Sequence, residues 1–86
     1  MTDYAVVVSD RAAREIEDLP ANVAARVYIK LAALASLPRP HGVKKLKGHR
    51  DLWRIRIGEH RVIYSVDDGA RVVDVVRVRH RSKAYD

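Results

Sequence analysis

Cysteine is absent from the 86 residues, so neither a disulfide framework nor a thiolate metal site can organise the fold, and the composition suits a reducing cytoplasm. No apolar run approaches membrane-spanning length. Met1-Thr2-Asp3-Tyr4 has no basic segment leading into an apolar stretch, so the chain reads as soluble and unprocessed, with no part for a membrane. Glycine is scarce, four residues in all, and each sits at a turn signal instead of in a phosphate-cradling loop. His41, His49, His60 and His80 lack metal-ligand spacing and Asp67-Asp68 is accounted for by a turn, so no metal and no cofactor are expected. Internal repeats, low-complexity tracts and linkers are missing too, which leaves a single domain over residues 1–86 with a thin core.

Apolar residues, 48% of the chain, are numerous enough to argue against disorder. The formal charge of +6 is unevenly placed: residues 1–37 carry four Lys and Arg against five Asp and Glu, leaving thirteen against six for residues 38–86. The second half therefore carries the whole positive field, and a polyanion or an acidic protein is the natural partner.

The β-branched run at residues 4–8 predicts a strand, and Ser9-Asp10 supplies an N-cap and an acidic first turn for a helix over 9–19 with Ala12, Ile16 and Leu19 on one stripe. A second helix follows Pro20 and runs to about Leu37, with Val23, Val27, Leu31 and Leu34 aligned, until Pro38-Arg39-Pro40 stops it. Strands over 43–47, 52–57, 60–66 and 71–79 are separated by Gly48, Gly58-Glu59 and Asp67-Asp68-Gly69. The order β-α-α-β-β-β-β predicts an α+β fold: a small, mainly antiparallel sheet with an antiparallel helix pair packed on one face.

A two-residue turn at Gly58-Glu59 places Arg56 opposite Arg61 and Arg54 opposite Ile63, with Trp53, Ile55, Ile57, Val62, Tyr64 and Val66 on the other, core-facing side. An outer arginine face can serve solubility alone. Directly opposed like charges are nonetheless unfavourable, by roughly 0.2–1 kcal/mol, so folding alone would not select this pairing and an anion is expected there. Arginine matches phosphate with a bidentate fork and can stabilise a phosphorane-like transition state, but it cannot take a proton. His80 and Tyr85 are the nearby candidates for that, since cationic neighbours push each toward its base-competent form. Straight continuation of the last strand puts His80, not Arg81, on the Arg61 face, and a bend at the strand end would reverse this. Lys44, Lys45, Lys47 and Arg50, with Arg77 and Arg79, read as general phosphate contacts.

Leu46-Lys47-Gly48, Leu52-Trp53-Arg54-Ile55-Arg56-Ile57-Gly58, His60-Arg61-Val62-Ile63-Tyr64 and the closing His80-Arg81 to Tyr85 resemble the RelE-like toxins of bacterial toxin–antitoxin pairs, over nearly the whole chain. The resemblance implies an endoribonuclease that enters the ribosomal A site and cleaves mRNA by attack of the ribose 2′-hydroxyl on the adjacent phosphate, without a cofactor. It also implies a RelB-like antitoxin that binds the toxin in a hetero-oligomer. By position Arg61 and Arg81 match the family's phosphate-stabilising arginines and Tyr85 its catalytic tyrosine. Arg54 and Arg56 stand where well-studied members carry lysines, a departure that shifts proton transfer toward Tyr85, His80 or the ribosome. The gyrase-directed ParE-like toxins share the scaffold but generally lack the set Arg61, Arg81 and Tyr85 together. A basic module that only binds its antitoxin is the third alternative.

Overall fold

The structure, a computed structural model, describes residues 3–46, 48 and 51–83. Strand β1 (Ala5–Val8) leads into helices α1 (Asp10–Glu17) and α2 (Ala21–Leu34), followed by β2 (Lys44–Lys45), β3 (Leu52–Ile57), β4 (His60–Asp67), β5 (Val72–His80) and a 3-10 turn at Arg81–Lys83. The sheet order is β1-β5-β4-β3-β2, parallel between β1 and β5 and antiparallel elsewhere, so the α+β expectation and its element order hold. Among the described residues no helix is long and apolar enough to cross a membrane.

Ser9 starts α1 as its sequence suggests: its Oγ accepts from the Ala12 amide at 3.1 Å, satisfying one of the orphan donors of the first turn. Ala12 and Ile16 of α1 and Val27, Leu31 and Leu34 of α2 are buried against Ile55, Ile57, Val62, Tyr64, Val73, Val75 and Val78, so both helices cover one face of the sheet. The second helix ends three residues before Leu37, because Pro38 disfavours helical backbone at the residue preceding it. Ala35 and Ser36 close instead with tighter bonds to the Ala32 and Ala33 carbonyls, each 3.2 Å. The strand expected over 43–47 shrinks to two lysines. A short, charged edge of this kind discourages pairing with another chain.

The β3–β4 hairpin has the expected register, Arg56 opposite Arg61 and Arg54 opposite Ile63, across a turn in which Gly58 takes φ +59°. Strand β5 departs from a straight ladder. Ile63 faces Arg77 while Tyr64 faces Val75, so Val76 is an extra residue, a β-bulge. A straight ladder would turn Arg77 and Arg79 under the helices, where an unpaired cation costs several kcal/mol. One unpaired valine is the smaller cost. The start of α1 docks on this bulge, Ser9 donating from its amide to the Val75 carbonyl (2.9 Å) and from its Oγ to the Val76 carbonyl (3.3 Å). Deleting Val76 removes the bulge without changing the parity of Arg77 and Arg79. The variant is expected to fold, about 1–2 kcal/mol less stable, with Arg79 still opposite Arg61. Cross-strand amide contacts by NMR check this, and Val78 found opposite Arg61 would refute it.

Tyr64, fully buried, donates from its hydroxyl to the Pro38 carbonyl at 2.7 Å and ties the loop after α2 to the core. Burial pushes its phenol up to about 12, with Arg39 pulling slightly the other way. A folded-state value above the unfolded one of about 10 means that Tyr64 stabilises the fold below pH 10 and that this contribution is lost as pH rises toward 12. Tyr64→Phe should remove that alkaline slope from urea-unfolding curves and cost about 1–2 kcal/mol at neutral pH. An unchanged slope would show that Tyr64 is not its source. Nearby, Asp68 accepts from Tyr4 (2.6 Å) and from Arg39 (2.9 and 3.2 Å), which holds its carboxyl down at about 2.

Candidate functional site

The parity of three strands creates the most unusual feature of the surface away from the helices. Arg56 of β3 is paired with Arg61 of β4, and Arg61 in turn with Arg79 of β5, so three arginines stand side by side across the sheet. Neighbouring strands lie about 4.8 Å apart, so the row holds three positive charges within about 10 Å at their Cα atoms. A second row runs beside it through Lys44, Arg54, Ile63 and Arg77. Arg61, the middle member, is only 6% exposed and is the one buried charged residue among the described residues. Lys44, Arg54 and Arg56 with Gly42 line a cleft of about 190 Å³ at the β3 edge.

The residues singled out in the sequence divide by position. Arg54, Arg56, Arg61, Arg79 and Lys44 converge on one face. Lys45 does not: it is paired with Trp53 on the opposite face, its ammonium 5.8 Å from the indole centroid. Arg77 has the right parity, but its guanidinium is held by Glu15 of α1 at 3.0 Å, and the same carboxylate accepts from the Val78 amide at 2.7 Å. Glu15 thereby closes the stretch of β5 that extends past β1. This ion pair occupies the Arg77 guanidinium with an internal carboxylate. Lys47, Arg50 and Tyr85 lie outside the described residues.

The expected position of His80 is corrected by the bulge. His80 is paired with His60, not with the arginine row, and the two rings meet edge to face with centroids 5.3 Å apart on the helix side of the sheet. There they line a cleft with Glu15 of α1 and with Asp18 and Leu19 just after it. Burial first, and then the neighbouring His80, holds His60 below the usual histidine range, against the pull of Glu59. Arg81 follows in the 3-10 turn, its amide donating to the Glu59 carbonyl at 2.8 Å and its Nε 3.6 Å from the Glu59 carboxylate. Arg79, rather than Arg81 or His80, is the direct neighbour of Arg61.

Glu15 and Glu59 were not visible as site residues in the sequence. Glu15 reads as one charge on an amphipathic helix and Glu59 as a turn residue, and their partners lie 62 and 22 positions away. The bulge left a signal, the doublet Val75-Val76, at which the alternation of polar and apolar residues along β5 slips by one. Chemically, the face presents guanidinium groups and the Lys44 ammonium at the paired positions of the two rows. It can hold a phosphodiester and stabilise added negative charge on it, while any proton must be moved by another group.

A family model described as the ParE toxin of the type II toxin–antitoxin system parDE matches residues 6–85. The Toxin RelE of Mycobacterium tuberculosis is 31% identical over 83 residues, covering 95% of this chain and 86% of that protein. Among solved structures, the archaeal RelE–RelB complex from Pyrococcus horikoshii contains a chain that is 31% identical with a TM-score of 0.83, covering 98% of this chain and all of that one. The intact E. coli RelBE toxin–antitoxin complex gives 29% identity and a TM-score of 0.78, over 90% of this chain and 95% of that one.

Proposed function

Since the chain belongs to the RelE/ParE family of toxins of type II toxin–antitoxin systems, we propose that it is a ribosome-dependent mRNA endoribonuclease. The observation that carries this reading is the row Arg56, Arg61 and Arg79, with Arg61 buried at its centre. A row of guanidinium groups on adjacent strands is suited to a ligand that brings negative charge, since each can offer a fork of N–H donors to a phosphate. Burial of Arg61 strengthens what it does to that charge, because a guanidinium withdrawn from water acts through a lower effective dielectric.

In the reaction, the ribose 2′-oxygen attacks the adjacent phosphorus, a 2′,3′-cyclic phosphate forms, and the P–O5′ bond breaks with the proton delivered to the departing 5′-oxygen. Arg61 and Arg81 stabilise the charge gathered on the phosphorus-bound oxygens. Arg56 and Arg79 flank Arg61 in the row, and Arg54 and Lys44 hold the RNA backbone beside it. Lys47 and Arg50 are assigned further backbone contacts from their sequence, and Tyr85 is assigned the proton by its match to the family's tyrosine. No metal and no cofactor enters this mechanism. The partner that restrains it is a RelB-like antitoxin, as in the solved RelE–RelB complexes, whose acidic residues would neutralise the arginine face within a toxin–antitoxin hetero-oligomer. Action in the cytoplasm follows, where ribosomes and message are found.

One observation favours a second reading. The matched family model bears the description of the ParE toxin, and ParE-like toxins act on DNA gyrase. Purified, antitoxin-free protein added to a translation reaction separates the two when mRNA 5′ ends are mapped with and without ribosomes and gyrase supercoiling is assayed in parallel. Cuts confined to translated message support the nuclease. Intact message with poisoned gyrase moves the chain to the second class.

A further inference from the structure

We propose that His80 is a positioning residue: its Nδ1 caps the 3-10 turn that carries Arg81 and so fixes where that guanidinium is presented to RNA. The inference rests on the nuclease reading for its consequence, but on local geometry for its content. The Ser82 amide donates to His80 Nδ1 at 3.2 Å, and Ser82 Oγ lies 2.9 Å from the same nitrogen. An Nδ1 that accepts an amide hydrogen carries none itself, which assigns the neutral ring its proton at Nε2.

Arg81 is thus bracketed. On one side the His80 ring holds the residue after it, and on the other Glu59 accepts from the Arg81 amide at 2.8 Å and draws its side chain to 3.6 Å. Arg81 is itself exposed, with 60% of its side chain accessible, so nothing in the core orients it and the bracket must. His80 acts from the far side of the sheet. Its ring meets His60 of β4 edge-on at 5.3 Å, beside Glu15 of α1, Asp18 at the end of that helix, Glu59 at the hairpin tip and Arg79 on its own strand, and not in the arginine row. The neutral His60 edge supports the His80 ring without adding a charge, since burial and the His80 ring both disfavour its protonation.

The test compares single-turnover cleavage of ribosome-bound mRNA by the full chain and by His80→Phe, His80→Asn, Arg81→Ala and the His80→Phe/Arg81→Ala pair. Phenylalanine keeps the ring against His60 but has no acceptor, whereas the asparagine Oδ1 replaces Nδ1 as the cap. His80→Phe is expected to lose about 10- to 100-fold in rate, as misplacement of a charge-stabilising group does, with little change in KM. His80→Asn should return to within about threefold of the parent, and adding His80→Phe to Arg81→Ala should cost less than about twofold more. Losses that multiply in the double variant, or an asparagine variant as slow as the phenylalanine one, would overturn the proposal. A parent protein that leaves all message intact would overturn the nuclease reading instead. In that case ¹⁵N spectra decide the positioning: an unprotonated Nδ1 and a Ser82 amide shifted in His80→Phe but not in His80→Asn support it, and a proton on Nδ1 refutes it.

Discussion

Replacing Arg61 by methionine is expected to lower mRNA cleavage by about 10²–10³-fold while making the protein more stable. Both halves follow from one geometry. Arg61 is 6% exposed and stands between Arg56 and Arg79, so it is withdrawn from water and opposed by two like charges. Each opposition costs roughly 0.2–1 kcal/mol, and an apolar side chain of similar length removes both. A gain of about 1 kcal/mol would raise the melting temperature by about 4–8 °C in a domain of this size. The same burial is what gives Arg61 its value toward a phosphorus centre gathering charge, because its field is little screened and its direction is set before the substrate arrives. Thermal melts beside primer extension check the pair of effects. A methionine variant that melts lower than the parent would show that Arg61 holds the sheet together, and the argument from opposed charges would fail. Full cleavage by that variant would remove Arg61 from the chemistry.

The trade between the arginine row and stability also explains which parts of the site were legible in sequence. The hairpin was, because Gly58-Glu59 fixes a two-residue turn and the alternation Trp53, Ile55, Ile57 against Arg54, Arg56 then fixes the register in a single way. The core face and the Ser9 cap were legible for the same reason: each is decided by residues close in the chain. Strand β5 was not, since a period-two reading carried through Val75-Val76 places every later residue on the wrong face. It put His80 on the Arg61 face, and the bulge puts Arg79 there. Only the cost of burying Arg77 and Arg79 under α1 selects the bulge, and that cost is tertiary. The parallel pairing of β1 with β5 and the capping of β5 by Glu15 depend equally on where α1 returns to the sheet.

The reversal of His80 sharpens the question of the proton. Arginines cannot supply or accept it, which removes every member of the row. His60 and His80 lie on the helix side of the sheet, with Nδ1 of His80 occupied by Ser82. The Glu59 carboxylate is turned toward Arg81. Of the two groups that the sequence offered, this favours Tyr85, which the nuclease reading assigns the proton by its match to the family's tyrosine. Arginine neighbours favour the phenolate over the phenol, so the field that binds phosphate also readies such a group to accept the 2′-hydroxyl proton. Tyr85→Phe is therefore expected to lower single-turnover cleavage by about 10²–10⁴-fold, the usual worth of a general acid–base group, with RNA affinity unchanged because no cation is lost. His80→Asn, measured alongside, should stay within about threefold of the parent. A Tyr85→Phe rate equal to the parent's would transfer the proton to the ribosome or to the message itself, and would leave this chain the role of a scaffold of oriented positive charge.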